Sequence, residues 1–242
     1  MSDHLKRMVA PSSWRLARKE ETFVTKTRAG PHDAGALPMA VWLRDRMSLA
    51  RNMKEVKLIL SDRAILVNGR PCRDPRMGIG IFDIISIPTT NQHYRVLLDK
   101  KGRIVTVPID AEAAKTRLAR VAKKTVVTGG KVQLNLGHGA NVLAGDHSVK
   151  SKDSVVLSLE PENRFAVVDH FPFAVGNMAM VIGGRHAGRI GRITAITPIP
   201  GGTPNTVALE DATDGTPFET IDDYCYMVGR ETPAVSSWGI EA

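Results

Sequence analysis

The spacing of apolar positions changes along the chain, and the change divides it. Across residues 37–51, Val41, Trp42, Met47, Leu49 and Ala50 supply one apolar side and Pro38 suits a first turn, which predicts a helix. Arg44 and Arg51, seven apart, fall on one face of that helix. Asn52 stands at an N-cap with Glu55 three residues on, in capping-box position, ahead of a second helix through Val56, Leu58, Ile59 and Leu60. Residues 64–67 and 70–73 flank Asn68-Gly69, a pair suited to the positive φ angles of a two-residue hairpin turn. Apolar runs at 79–82 and 84–87, ended by Pro88, extend a small sheet.

Residues 94–98 and 103–107 enclose Asp99-Lys100-Lys101-Gly102, which predicts a second hairpin with a basic tip. A further helix is expected over residues 110–124. Asp110 would cap it, Ala113, Ala114, Leu118 and Val121 would face inward, and Lys115, Arg117, Arg120, Lys123 and Lys124 would face outward. Such an outer face suits solvent and nucleic acid equally. Beyond it, short β-prone runs at 132–136, 155–159, 165–168, 178–182, 190–196, 207–209 and 224–228 are punctuated by Gly, Asp and Pro, a spacing that predicts small β-barrels.

The first 36 residues show no sustained period. Lys6, Arg7, Arg15, Arg18, Lys19, Lys26 and Arg28 are mixed there with Gly, Pro and Thr, which reads as a solvated tail or as an extended arm that orders on a polyanion. Trp14 among Arg15, Arg18 and Lys19 suits stacking on a base. The expected class is therefore α+β and multi-domain. An arm at 1–38, a helix-helix-hairpin module at 39–91, a central β-rich domain at 92–172 and a C-terminal β domain at 173–242 account for the pattern.

Charge sharpens the picture. The net charge is +8, but residues 1–131 hold 26 basic and 12 acidic side chains, whereas residues 132–242 hold 7 and 13. A polyanion-facing surface belongs mainly to the first half. No apolar run approaches the length of a spanning helix, and no apolar core follows Lys6 and Arg7, so a membrane partner is not expected and a cytoplasmic location is. Two cysteines, Cys72 and Cys225, exclude a disulfide framework and a cysteine-rich zinc site, and both read as packing residues.

Chemistry-bearing motifs are few. Gly183 to Gly188 imitates the spacing of a Walker A loop, but Arg189 stands where the lysine is required and Ile190 where the Ser or Thr is. The cluster instead reads as a glycine-rich loop between strands that projects Arg185, Arg189 and Arg192, either toward phosphates or simply into solvent. The seven histidines are scattered, with no pair at metal-ligand spacing, and Asp146, His147 and Ser148 are adjacent only in sequence. Glu210-Asp211 and Asp222-Asp223 read as solvated turns. No catalytic residue, metal, cofactor or small-molecule substrate is expected.

Several of these segments, in order, resemble the S-four-e family of archaeal and eukaryotic small-subunit ribosomal proteins. His4-Leu5-Lys6-Arg7 with Ala10-Pro11 and Trp14, Gly30-Pro31-His32 and Leu37-Pro38 resemble the family's N-terminal words. Leu43-Arg44-Asp45-Arg46, residues 65–69 and Phe82-Asp83-Ile84-Ile85-Ser86-Ile87 resemble its S-four-type (alpha-L) RNA-binding domain. Residues 99–103 resemble its D-x-K-G-R hairpin, 176–194 its KOW segment in an SH3-like barrel, and 224–229 its closing strand. The chain departs at Lys152-Asp153, where the family commonly has a Gly-Asp turn, and at His138-Gly139-Ala140, a variant of its His-Asp-Gly word. It also stops at Ala242 without the lysine-rich extension of eukaryotic relatives, so it resembles the archaeal branch.

The resemblance implies a structural rRNA-binding component of the small subunit that supports assembly and translation, with small-subunit rRNA and neighbouring ribosomal proteins as partners. The implied contacts are Lys6, Arg7, Trp14, Arg15 and Arg18 in the arm, and Arg44, Arg46, Arg51, Lys54 and Lys57 around the helix pair. Asn68, Gly69 and Arg70 follow at the first hairpin, Lys100, Lys101 and Arg103 at the second, and Arg185, Arg189 and Arg192 in the KOW loop. An RNA-modifying enzyme with an S-four-type domain and a KOW-bearing transcription or translation factor are the alternatives.

Overall fold

In a computed structural model, residues 4–32, 35–144 and 148–230 are described. His147 and Asp146, and the last twelve residues of the expected C-terminal domain, lie outside them. The chain divides into two compact units, one comprising Met1–Leu97 with Arg103–Ala114 and the other Leu98–Gly102 with Lys115–Ala242.

In the first unit, β1 (Leu5–Lys6) pairs antiparallel with β2 (Phe23–Val24), and β3 (Leu37–Pro38) with the later β6 (Gly78–Ile79). Between them come β4 (Leu66–Val67) and β5 (Arg70–Pro71), then β7 (Ile84–Ile87), β8 (Gln92–Leu98) and β9 (Ile104–Ile109), which form one sheet in the order β5-β4-β7-β8-β9. The boundary expected after residue 91 therefore runs through a sheet. Ladder pairing of β7 with β8 across a short turn joins the two sides of that boundary.

The expected long first helix is short. One turn of α-helix, α1 (Met39–Val41), passes into a π-helical stretch at Trp42–Arg46, and Ser48 at φ 54 ends it. Met39, Ala40, Val41, Trp42 and Leu43 are all buried, so tertiary packing on every side replaced the amphipathic stripe that a longer surface helix needs. Arg51 thus lies beyond the helix and shares no face with Arg44. The second helix, α2 (Met53–Ser61), forms as the sequence predicts. Asn52 Oδ1 accepts from Glu55 N at 3.0 Å, while Glu55 reaches back to Arg51 N at 2.7 Å, one residue earlier than a standard capping box.

The arm is folded onto this unit rather than extended. Trp14 is 1% exposed and donates its indole N–H to Gly35 O at 2.9 Å. Arg7 is 2% exposed, donates to Ala17 O at 2.6 Å and pairs with Asp45 at 3.0 Å. Sequence periodicity misses such a segment because two isolated anchors, not a repeating stripe, fasten it.

The second unit holds two five-stranded antiparallel sheets. β10 (Thr116–Val126), β11 (Val132–Leu136), β12 (Asn141–Ala144), β13 (Ser154–Ser158) and β14 (Val167–Phe171) are ordered β12-β11-β10-β13-β14. β15 (Met178–Val181), β16 (Ile190–Thr197), β17 (Thr206–Asp211), β18 (Pro217–Ile221) and β19 (Cys225–Gly229) are ordered β18-β17-β16-β15-β19. The helix expected over 110–124 is instead the long strand β10, preceded by one 3-10 turn at Ala113–Lys115. β10 is central, pairing with β13 through its first half and β11 through its second, so two ladders outweigh a helical propensity carried by Ala and Lys. Its Ala119 and Val121 pack with Val132, Leu134, Leu136, Val155 and Leu157.

The two sheets of this unit are tied by polar groups. Met227 N donates to Ser154 Oγ at 3.1 Å, and Tyr226 Oη bonds His138 Nε2 at 2.8 Å. Arg120 donates to the carbonyls of Asp223 at 2.9 Å and Asp222 at 3.2 Å. Asp222, expected in a solvated turn, is fully buried and paired with Lys152 Nζ, because the 3-10 turn that carries it is covered by the neighbouring sheet.

Candidate nucleic-acid interface

Helix α2 turns Val56 and Leu60 inward and leaves Lys54, Lys57, Leu58 and Ser61 exposed. Their 3, 4 and 7 spacing sets them along one stripe. Arg51 is exposed just before the helix. Arg63, exposed just after it, adopts φ 56 at the position that ends the helix in left-handed geometry. The hairpin adds exposed Gly69, Arg70 and, past the second strand, Arg73. Asn68 and Gly69 take φ 49 and 71, the mirror-image turn that the dipeptide predicts. Six cations thus stand exposed along a 23-residue stretch whose two acids are Glu55, held by the cap, and Asp62 at the helix end. Arg63 and Arg73 were missed from sequence because neither lies in an element whose face could be assigned. Their signal was only adjacency to the helix end and the hairpin.

Other expected contact residues are engaged within the fold. Asn68 uses its side chain internally, donating to Asp83 Oδ1 at 2.8 Å and accepting from Ile84 N at 2.9 Å. Asp83, 1% exposed, also meets His32 Nε2 at 2.6 Å and Gly80 N at 3.0 Å. Arg44 makes a two-pronged contact with Asp45 Oδ2 at 3.0 Å, and Arg7 reaches Asp45, Glu21 and Glu20. Arg7, Arg44, Asp45 and Glu21 form an ionic knot that pins the N-terminal segment, and Trp14 is sealed from stacking by burial. Arg46 is half-buried, Arg18 donates to Met8 O at 2.7 Å, and Lys6 and Arg15 remain exposed.

In the second unit, the tip residues Lys100 and Lys101 are exposed, with Lys100 Nζ donating to Thr213 Oγ1 at 3.4 Å. The tip nests against the glycine-rich loop. A Cβ at Gly188, where φ is 85, would fall 1.8 Å from Asp99 O, so only glycine permits this approach. Arg185 projects from the loop and is exposed, as is Arg192 on β16. Arg189 is drawn aside by Asp211 at 3.8 Å and lies 5.7 Å from the Phe218 ring centroid. Arg103 is half-buried. Exposed cations therefore occur in both units. Among the described residues, no group of three or more His, Cys, Asp or Glu is placed to hold a metal ion.

Known families match three stretches of the chain. Residues 1–34 match the RS4NT (NUC023) domain, residues 90–164 Ribosomal family S4e, and residues 175–198 the KOW motif. Along the full length, the chain is 57% identical to Small ribosomal subunit protein eS4 of Methanospirillum hungatei, with 100% of both chains covered. The chain belongs to the ribosomal S4e family. The eS4 protein of Methanocella arvoryzae is 39% identical over 99% of each chain. The crystal structure of the 30S ribosomal protein S4e from Thermoplasma acidophilum is similar at a TM-score of 0.66 and 25% identity, covering 81% of this chain and 95% of that one. These are archaeal members of a ribosomal family, not of an enzyme family.

Membership in the S4e family gives meaning to the departure at Lys152. Its φ of 76 lies in the left-handed region, a backbone conformation that suits the glycine expected at this turn. This S4e chain keeps the strained conformation with a lysine, whose ammonium neutralises buried Asp222. Asp153, also buried, accepts from Lys150 N at 2.7 Å and Phe173 N at 2.8 Å and contacts His170 Nε2 at 2.7 Å. Both residues of the departure are therefore internal to the fold. The thiols of Cys72 and Cys225 are buried, and burial pushes them up to about 11 and about 12.

Proposed function

We propose that the chain is a structural constituent of the small ribosomal subunit, resident there in the cytoplasm, that binds small-subunit rRNA and supports assembly and translation beside neighbouring ribosomal proteins. Full-length identity to eS4 proteins supports the ribosomal role, and the observation that carries the rRNA contact is the exposed cationic stretch around α2 and the hairpin. The helix-helix-hairpin arrangement over residues 39–73 acts in this reading as an S-four-type RNA-binding element, and the β15 to β19 sheet as an SH3-like KOW module. Arg51, Lys54, Lys57, Gly69 and Arg70, joined by Arg63 and Arg73, grip the phosphate backbone. Lys100, Lys101, Arg185 and Arg192 make a second contact, and Lys6 and Arg15 a third. Recognition is by shape and backbone charge, because long exposed cationic side chains meet phosphates before base edges.

The test is binding of the full chain to purified small-subunit rRNA as a function of salt. Lys54→Glu with Lys57→Glu lowers affinity across all sequences and reduces the log–log salt slope by about 2, roughly one per lost phosphate contact. An unchanged slope removes α2 from the interface. Failure of the wild-type protein to co-sediment with small subunits removes the ribosomal role.

A further inference from the structure

The aromatic that sequence marks for base stacking, Trp14, is buried, but a different aromatic in the same segment is not. Phe23 is 51% exposed on β2 and is the direct antiparallel partner of Lys6 on β1. Direct partners point to the same face of a ribbon, with Cβ atoms about 5 Å apart. His4, two residues before Lys6, shares that face. Its ring meets Phe23 edge-on, with centroids 5.4 Å apart and planes at 80°. The opposite face carries Val24, which is 6% exposed and packs inward. The ribbon presents a half-exposed ring, a second ring in edge contact with it and a lysine as its cross-strand partner.

We propose that this face of the β1–β2 ribbon is a stacking platform for one unpaired base of rRNA, with the base on Phe23 and its phosphate held by Lys6. The inference rests on the rRNA-binding reading above and adds to it a site and a mode. Three observations favour a nucleotide over a protein partner. Half of Phe23 is exposed, an area on the order of one base. Lys6, Arg15 and Lys19 are exposed in the same stretch of chain, while the acidic residues among the described residues 4–28, Glu20 and Glu21, lie 3.5 and 3.4 Å from Arg7. The ribbon is also held in advance, since the Arg7 knot and Trp14 anchor the chain that follows β1, and Arg7 N donates to Thr22 O at 3.0 Å to extend the pairing. A preformed platform avoids the ordering cost that a floppy arm incurs on binding.

Stacking on an aromatic tolerates any base and depends on the π face. In a filter-binding assay of the full chain on purified small-subunit rRNA, Phe23→Leu therefore weakens binding by about 10-fold, whereas Phe23→Tyr stays within about 2-fold of wild type. Lys6→Gln lowers the salt slope by about one contact. Phe23→Trp supplies a signal independent of the leucine variant's folding. Its added indole fluorescence, taken as the difference from wild type, is quenched when rRNA binds. The proposal is overturned if Phe23→Leu matches wild type while wild type binds rRNA, or if the added fluorescence of Phe23→Trp is unaffected by rRNA. It is equally overturned if Phe23→Leu binds rRNA normally but drops out of reconstituted subunits, which would assign the face to a neighbouring protein. If the wild-type chain does not bind rRNA at all, the broader reading fails instead.

Discussion

Replacing Lys152 by glycine sets two effects of known sign against each other. Lys152 occupies φ 76, a left-handed conformation that costs a non-glycine residue about 1–2 kcal/mol and costs glycine almost nothing. Glycine also removes the ammonium that faces Asp222, which is 0% exposed and whose Oδ1 has no hydrogen-bond partner among the described residues. Leaving a buried carboxylate without its counter-charge costs about 3–5 kcal/mol, so the electrostatic loss exceeds the relief of strain and Lys152→Gly destabilises by roughly 1–4 kcal/mol. Lys152→Met keeps the strain and loses the charge, and falls further. Asp222→Asn in the glycine background recovers part of the loss, because a neutral amide has no charge to leave uncompensated. In urea denaturation followed by far-UV circular dichroism, a slope of about 2 kcal/mol per molar places the Lys152→Gly midpoint about 0.5–2 M below wild type. Amide exchange should locate the weakening in β13, β15 and β19. A glycine variant as stable as wild type, or an order in which methionine exceeds glycine, would refute the reasoning.

The Asp83 network provides a parallel test in the first unit. Asp83→Ala strips the acceptor from His32, Asn68 and Gly80 N, three buried or half-buried donors at about 1–3 kcal/mol each, so a loss of at least about 3 kcal/mol is expected. Fluorescence of the buried Trp14 and Trp42 should report it, and a loss under ~1 kcal/mol would mean water replaces the carboxylate. Cys72 and Cys225 should resist thiol reagents at pH 8 in the native protein and react once urea unfolds it. Burial raises both thiols above their ordinary value near 9, so the unfolded chain loses these protons first. Their contribution to stability is therefore full below pH 9 and declines as pH rises toward 11 for Cys72 and 12 for Cys225, on the order of 1.4 kcal/mol per pH unit per thiol. Cys72→Ala with Cys225→Ala should flatten that alkaline slope, and an unchanged slope would assign it to other groups.

Local chemistry by itself determined a good deal of this protein. The Asn52 cap with Glu55, the Asn68-Gly69 turn, and the strands Ile84–Ile87 and Val132–Leu136 depend on neighbours a few residues away, so they could be read directly. The ordered run of family-like words and the concentration of positive charge before residue 132 were equally legible, because both are properties of the chain and need no fold. What only the tertiary structure decided was which polar and aromatic groups face solvent. Arg7, Arg44, Asn68 and Trp14 look like RNA ligands in sequence and serve the fold. Asp45 reaches Arg7 from 38 residues away, Gly35 reaches Trp14 from 21 and Asp83 reaches Asn68 from 15. Residues 116–126 carry helical residues but became a central strand, since two flanking ladders form only when β11 and β13 arrive. Burial and pairing are set by distant segments, and a one-dimensional period cannot contain them.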